Sequence, residues 1–168
     1  MISKATINDV SELNILVNSA YRGETSKKGW TTEANILGGI RISEKELLLL
    51  ISKPENAIFK LIERGIILAC VLLIEKKDKL YLGMLTVNPE LQNSGMGKKL
   101  LHFAENYAMD LDLRSIEMTV ISVRNELIAW YKRHGYNDSG KRQPFPMENP
   151  EFGLPKQNLE FIIMEKFL

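Results

Sequence analysis

Cysteine, histidine, net charge and long apolar runs are all scarce in this sequence, and each scarcity excludes a class of protein. One cysteine, Cys70, excludes an internal disulfide and suits a reducing compartment. Lys and Arg number 22 against 21 Asp and Glu, a net charge of +1, so nothing indicates nucleic acid or an acidic membrane as the main partner. No apolar run approaches a membrane span, and the N-terminus has no basic-then-apolar signal segment.

The rare reactive residues also lack the neighbours that chemistry would need. The two histidines, His102 and His134, have no acidic or cysteine partners at ligand spacing, so no metal site is expected. Cys70 stands in the apolar run I-I-L-A-C-V-L-L-I without an adjacent histidine, which predicts a buried, inert thiol and not an acyl-carrying nucleophile.

What the sequence does contain is ordinary globular composition. Hydrophobic residues make up 45% of the 168 residues and charged residues 26%, which predicts one domain, residues 1–168, with a substantial core. No internal repeat or low-complexity segment is present. We therefore expect a single cytoplasmic domain.

Hydrophobic periodicity predicts strands and helices in the order β-α-α-β-β-β-α-β-α-β-β. This order predicts an α+β or mixed α/β sheet, with a meander of three antiparallel strands between residues 57 and 87. A capping box, Ser43 to Glu46, opens the second helix. Residues 21–42 have no periodicity apart from one short helix expected near residues 33–37. That segment could be a functional lid, or a plain surface excursion with Trp30 in the core.

The most informative stretch is a strand followed by a glycine loop and a helix. Leu80 to Val87 is uncharged and nearly all apolar, as expected of a strand buried on both faces, and Asn88-Pro89 ends it. Gly95 and Gly97 then open a helix with an apolar stripe. Helix N-termini present unpaired amides and partial positive charge, and glycine allows close approach, so this is an expected phosphate or pyrophosphate site.

Two common phosphate motifs do not fit this loop. A Walker loop would need glycine where Gln92 stands, and a dinucleotide fingerprint would need a third glycine where Leu100 stands. The pattern V-x-P-x-x-Q-x-x-G-x-G does fit, from Val87 to Gly97. It resembles the acyl-CoA-binding signature of the GNAT N-acetyltransferase superfamily. The alternative is an ordinary strand-to-helix turn that uses glycine for geometry only.

A second motif supports the same resemblance. Asn125, Ala129, Tyr131 and Gly135-Tyr136 are similar to the downstream GNAT pattern N-x-x-A-x-x-x-Y-x-x-x-G-F/Y, although Tyr131 stands nearer Ala129 than in some members. The resemblance implies that Asn125 binds the pantetheine arm and that Tyr131 protonates the departing CoA sulfur. The alternatives are a helix N-cap for Asn125 and a core aromatic for Tyr131.

The resemblance implies a fold and a cofactor. The expected fold is the GNAT-like acyltransferase fold, a mostly antiparallel twisted sheet flanked by helices, with a V-shaped splay between the fourth and fifth predicted strands. Acetyl-CoA would be the acyl donor, with no metal. Main-chain atoms of Leu85 and Val87 would hold the pantetheine and polarise the thioester. The remaining expected cofactor-binding residues are Gln92, Asn93, Ser94, Gly95, Met96, Gly97 and Lys98.

The general base is harder to predict. Many GNAT enzymes carry a glutamate on the strand that precedes the glycine loop, but none stands between Leu80 and Val87. The candidates are Glu117 on the neighbouring strand and Glu33 in the irregular segment. Glu33 is favoured because the surrounding G-W-T-T-E resembles a pattern in a subset of GNAT-like sequences.

The expected function is therefore transfer of an acetyl group from acetyl-CoA to an amine, by direct attack in a ternary complex. The alternatives are a catalytically silent acyl-CoA-binding module and an enzyme that acetylates protein N-termini or lysines. A closed pocket formed by residues 21–42 and 143–155 would favour a small-molecule amine, and an open groove a peptide amine. The last strand could pair across a homodimer; no nucleic acid or membrane partner is expected.

Overall fold

Seven strands form one sheet with helices on both faces. The computed structural model describes all residues, 1–168. The strands are β1 (Ile2–Lys4), β2 (Leu37–Gly38), β3 (Asn56–Glu63), β4 (Ile66–Glu75), β5 (Lys79–Val87), β6 (Ser115–Ile121), β7 (Asn137–Pro144), β8 (Leu154–Pro155) and β9 (Glu160–Phe167). The helices are α1 (Val10–Tyr21), α2 (Gly23–Ser26), α3 (Glu44–Ser52), α4 (Met96–Asp110) and α5 (Asn125–Arg133). The sheet order β1-β3-β4-β5-β6-β9-β7 confirms the mixed, mostly antiparallel fold.

The predicted meander is present as β3, β4 and β5. Glu63 pairs with Ile66, so the hairpin between β3 and β4 has a two-residue loop. Both loop residues have positive φ, 51° at Arg64 and 80° at Gly65. Two left-handed residues in succession are typical of a type I′ turn, whose twist matches that of the flanking strands.

The strand pair that matters for the site is β5 and β6. It is the one parallel pair of the large sheet, and its pairing covers only three positions, from Lys79 opposite Ser115 to Tyr81 opposite Glu117. Beyond Tyr81 the two strands diverge, which confirms the expected V-shaped splay. The two-residue strand β2 shifts the numbering, so the predicted fourth and fifth strands are β5 and β6.

Two hydrophobic clusters hold the helices against the sheet. One joins α1 and α3 to β4, and it includes Leu13 and Leu47, both fully buried. The other joins α4 and α5 to the opposite face, with Leu100 and Ala104 fully buried. The predicted capping box of α3 is present: Ser43 Oγ accepts from the Glu46 amide at 3.1 Å, and Glu46 accepts from the Ser43 amide at 2.7 Å.

The irregular segment between α1 and α3 is tied to the segment before β9. The short strand β2 pairs with β8, Leu37 opposite Pro155 and Gly38 opposite Leu154. The prediction of a short helix near residues 33–37 is wrong. The helix there is α2, about ten residues earlier, and residues 33–37 instead form a turn that leads into β2.

The last strand does not lie at a sheet edge. β9 pairs with β6 on one side and with β7 on the other, so within the chain it has no free edge to which a partner strand could add. The edge strands are β1 and β7. None of the helices combines the length and apolar character needed to cross a bilayer.

Candidate active site

The glycine loop places the N-terminus of α4 beside the end of β5, where that strand no longer pairs with β6. Asn93 and Gly95 both have positive φ, 68° and 85°, and these two left-handed positions turn the chain sharply between the strand and the helix. Gly95 is the N-cap of α4 and provides no side-chain capping bond. The amides of the first turn, from Met96 to Lys98, therefore point outward without intrahelical acceptors.

The charge around this helix start suits an anion. No acidic residue stands in the first turn of α4, and Lys98 lies there with its side chain exposed. Gly97 lies against the indole of Trp130. A Cβ at position 97 would be 3.4 Å from two ring carbons of Trp130 and 3.8 Å from Val87, at the close end of van der Waals contact, so glycine leaves the most room between this helix start and α5.

The helix start opens into a cavity of about 270 Å³, which we call the donor cavity. Nine of the predicted cofactor-binding residues line it: Leu85, Val87, Gln92, Asn93, Gly95, Met96, Gly97, Lys98 and Tyr131. Two others, Ser94 and Asn125, are exposed and do not line it. The structure thus brings the predicted loop together, but it does not bring Asn125 into the cleft.

A bulge in β5 lies at the junction of the cleft. Met84 has positive φ, 49°, and the register between β4 and β5 shifts between Cys70 and Leu72. Strand bulges redirect the backbone, and here the bulge directly precedes Leu85. The carbonyl oxygen of Leu85 accepts a hydrogen bond from the Tyr21 hydroxyl at 2.8 Å, which fixes α1 to this point of the strand.

A second cavity of about 320 Å³ occupies the splay itself, and we call it the acceptor cavity. Its walls come from both diverging strands, including Leu82 on β5 and Met118 on β6, and from the segment that precedes β9. It shares five lining residues with the donor cavity: Tyr21, Leu85, Arg124, Leu127 and Tyr131. The two cavities therefore meet where β5 faces α5.

Tyr131 stands at that meeting point. Tyr131 is 6% exposed, and its hydroxyl makes no hydrogen bond within the chain although it is not a fully buried atom. Burial raises the pKa of Tyr131 far above the ordinary value of a tyrosine, with a further contribution from the neighbouring Tyr21. The phenol is therefore protonated at all physiological pH values and has a proton to donate.

The helical face that runs from Arg124 through α5 to His134 supplies three site residues that the motif comparison missed, in addition to Tyr131. Arg124, Leu127, Tyr131 and His134 recur at intervals of three or four residues, and all line the donor cavity. This spacing was visible in the sequence. His134 Nδ1 lies 2.7 Å from the Trp130 carbonyl oxygen. A carbonyl can only accept, so Nδ1 is the donor in this hydrogen bond.

Glu33 is buried between two arginines. Its carboxylate accepts from Arg22 Nε at 2.8 Å and from Arg124 Nη1 at 3.1 Å, and all three residues are about 5–6% exposed. Arg124 also donates to the hydroxyl of Thr31. Both oxygens of Glu33 are engaged by guanidinium groups, and this arrangement fits a positioning role for the residue predicted as a base.

Arg22 extends this cluster to the segment that closes the acceptor cavity. Its Nη1 donates to the Ile40 carbonyl at 3.1 Å and its Nη2 to the Phe152 carbonyl at 3.2 Å. Lys156 adds a bond to the Ala34 carbonyl at 2.8 Å. Together with the β2–β8 pair, these bonds hold residues 33–40 against residues 152–156.

The other predicted base, Glu117, lies outside both cavities. It forms an ion pair with Lys79 at 3.0 Å, at the closed end of the splay where β5 and β6 still pair. Cys70 is fully buried, and burial raises the pKa of its thiol to about 12. No three His, Cys, Asp or Glu side chains are grouped so that they could hold a metal ion.

Gln92 links the glycine loop to the irregular segment. Its side-chain oxygen accepts from the Trp30 amide at 2.9 Å, while its side-chain nitrogen lies 3.4 Å from the Val87 carbonyl oxygen. Trp30 lies at the rim of the donor cavity, 36% exposed, with its ring centre 6.2 Å from that of Trp130. The irregular segment is therefore part of the site and Trp30 is not a core residue.

Comparison with known proteins places this geometry among acetyltransferases. The sequence model of the acetyltransferase (GNAT) family matches residues 24–136. No curated protein sequence matches the chain.

Solved structures share the fold at low identity. The ribosomal-protein-S18-alanine N-acetyltransferase of Escherichia coli is 17% identical with a TM-score of 0.73, over 99% of this chain and 92% of that one. A PaiA N-acetyltransferase of Thermoplasma acidophilum, solved in complex with coenzyme A, is 20% identical with a TM-score of 0.75, over 100% of this chain and 98% of that one. An IAA acetyltransferase of Bacillus cereus is 15% identical with a TM-score of 0.71, over 100% of this chain and 99% of that one.

Proposed function

Because the chain belongs to the acetyltransferase (GNAT) family, we propose that it transfers an acetyl group from acetyl-CoA to the amine of a small acceptor, by direct attack while both are bound. The observation that carries this proposal is the junction of two cavities at Leu85 and Tyr131. Direct transfer requires donor and acceptor to meet within reacting distance, and such positioning supplies a large part of the rate enhancement.

The residues present fit coenzyme A on the donor side. The outward amides from Met96 to Lys98 would hold the diphosphate, with Lys98 adding a full positive charge. Main-chain groups of Leu85 and Val87, where β5 has left β6, would hold the pantetheine arm. Bound in this way, acetyl-CoA supplies the acetyl group as a thioester. An amide beside the bulge would stabilise negative charge on the carbonyl oxygen.

Tyr131 is the proposed general acid. The thiol of coenzyme A leaves more readily as a neutral group, because a free thiol has a pKa of only about 8.5 and its anion would otherwise be released. The hydroxyl of Tyr131 is uncommitted, protonated and common to both cavities. These three properties are what a proton donor to the sulfur needs.

The acceptor amine must lose a proton before or during attack. Glu117 lies outside the cavities, and Glu33 is engaged by Arg22 and Arg124, so we assign neither carboxylate as the base. The surplus of arginine in the acceptor cavity acts in the same direction as a base would. Nearby positive charge disfavours an ammonium ion and favours the neutral, nucleophilic amine.

A small acceptor is favoured over a protein. Arg22, Lys156 and the β2–β8 pair hold two segments together over the acceptor cavity, where an extended peptide would need an open groove. We place the enzyme in the cytoplasm because its one thiol is unpaired and buried. The absence of a free carboxylate in the acceptor cavity favours one competing function, a silent acyl-CoA-binding module.

Two measurements separate these functions. Calorimetry with acetyl-CoA tests the donor cavity, and release of free thiol with a panel of amines tests transfer. Acetyl-CoA binding together with turnover of at least one small amine supports the proposed enzyme. Binding without turnover of any amine supports the silent module. An absence of acetyl-CoA binding contradicts both.

A further inference from the structure

The acceptor cavity carries an excess of positive charge. Its charged lining residues are Arg22, Arg41, Arg124 and Glu33, and every other lining residue is uncharged. Three guanidinium groups therefore face one carboxylate inside the cavity. Glu126, which does not line the cavity, lies 3.7 Å from Arg124, so Arg41 is the one lining cation without an acidic partner. The cavity volume is about 320 Å³, and unpaired charges in a partly desolvated cavity of this size are costly unless a ligand pairs with them.

The three arginines differ in how fully the chain uses them. Arg22 is saturated, because its three nitrogens bond Glu33 and the carbonyls of Ile40 and Phe152. Arg124 is only partly satisfied. Its buried Nε has no hydrogen-bond partner, and the nearest carboxylate, that of Glu126, is 3.7 Å away.

Arg41 has no side-chain partner for its guanidinium at all. Its backbone is nevertheless fixed, since the amide donates to Asn18 Oδ1 at 2.7 Å. The guanidinium carbon lies 5.3 Å from the centre of the Tyr21 ring, and the Arg124 guanidinium lies 5.9 Å from the same ring. Two guanidinium groups thus lie within 6 Å of the centre of the cavity-lining Tyr21 ring. Arg41 lines the acceptor cavity and not the donor cavity, so the phosphates of a donor do not account for it.

The rest of the cavity is mostly apolar and aromatic, with Gln143 and the hydrogen-bonded pair Tyr81 and Thr119 as further uncharged polar side chains. Phe145, Phe152 and Phe161 form one wall, and Met84 and Met118 stand on the diverging strands. Phe145 and Phe161 pack against each other with ring centres 5.2 Å apart. Such a wall fits a hydrophobic or aromatic body better than a polyol or a second amine.

We propose that the acceptor is a small primary amine that also carries a carboxylate and an apolar or aromatic side group, with Arg41 as the residue that binds the carboxylate. This inference rests on the proposed function and specifies its substrate class. A guanidinium fork matches the planar, two-oxygen geometry of a carboxylate. Polyamines and lysine-rich peptides are disfavoured acceptors, because they would add positive charge beside Arg41, which has no acidic partner.

The test uses matched acceptors that differ only in the anionic group. L-phenylalanine is compared with L-phenylalaninamide and phenethylamine, L-methionine with L-methioninamide, and spermidine serves as the polycation. We expect kcat/KM for the free acids to exceed that for the amides by on the order of 10- to 100-fold, the range for a charged hydrogen-bonded pair. Equal or better turnover of the amides or of spermidine overturns the inference and leaves the proposed transferase intact.

Variants locate the effect. Arg41→Gln should remove the preference for the acids and leave the Kd for acetyl-CoA unchanged, while Arg41→Lys should retain part of it. Arg114→Gln is the matched control, since Arg114 is exposed, has no side-chain bond and lies outside both cavities. A preference that survives in Arg41→Gln overturns the role of this residue.

Equilibrium binding separates failure of the inference from failure of the proposed function. Calorimetry of the same acids and amides against the protein saturated with coenzyme A requires no turnover. Selective, Arg41-dependent binding of the acids without acetylation of any amine supports the ligand class and contradicts the transferase. Acetylation without selectivity for the acids supports the transferase and contradicts the ligand class.

Discussion

Replacing Gly97 by glutamate tests the diphosphate site most directly. Position 97 lies in the first turn of α4, where a diphosphate would meet the outward amides. A Cβ there meets Trp130 at 3.4 Å, which is a tight but tolerable contact, so the fold should survive. Replacing glycine within a helix also favours the helix by about 0.5–1 kcal/mol, so the melting temperature should not fall.

The expected loss of affinity comes mainly from charge. A carboxylate about 5 Å from a phosphate repels it by about 3 kcal/mol per unit charge at an effective dielectric constant of about 20. That energy corresponds to a Kd for acetyl-CoA weakened about 100-fold. Gly97→Gln is the control of equal size, and the ratio of the two Kd values measured by calorimetry isolates the charge. The ratio should shrink in about 1 M salt, where screening is strong. Equal affinities of the Glu and Gln variants would refute the assignment of this helix start to an anion.

Three further substitutions test the junction and its supports. Tyr131→Phe should lower kcat by roughly 100-fold with little change in the Kd for acetyl-CoA. Because burial raises the pKa of Tyr131, deprotonation of Tyr131 should not lower the wild-type kcat/KM below about pH 10. A fall in kcat/KM below that pH that is present in the wild type and absent in Tyr131→Phe would contradict this expectation. Glu33→Gln should lower the free energy of unfolding by about 3–5 kcal/mol in urea titrations, since it leaves buried Arg22 and Arg124 without their anion; an unchanged midpoint would count against the cluster. Arg22→Gln should raise the acceptor KM with the Kd for acetyl-CoA unchanged, and an increase in both would show that Arg22 supports the donor cavity as well.

The fold and the donor side were largely predictable from sequence, for local reasons. A strand, a proline stop and two glycines at a helix start are all encoded within residues 80–101, and their roles depend on backbone conformation. The same is true of the Ser43 capping box and the hairpin at Arg64-Gly65. Loop residues from Gln92 to Lys98 consequently line the donor cavity, with the exception of Ser94.

The acceptor side was not predictable because long-range contacts build it. Glu33 meets Arg124 across 91 positions of sequence, and Arg22 meets Phe152 across 130. Neither pairing leaves a local pattern. The sequence therefore identified Glu33 as a site residue but did not predict that Arg22 and Arg124 would engage its carboxylate. Asn125 shows a related limit: the motif drew attention to the start of α5, but it is the adjacent Arg124 whose side chain lines both cavities.

The short contact between β5 and β6 has a consequence for how this protein can evolve. From residue 82 onward β5 has no strand partner on its β6 side, so those of its peptide groups that side chains such as Tyr21 do not already bond remain available to a bound molecule. Peptide groups are the same whatever side chains the strand carries. Substitutions along β5 can therefore accumulate without erasing the hydrogen bonds offered to a linear, amide-containing ligand. Selection on this part of the site acts on the path of the strand, and the sequence is left free to drift.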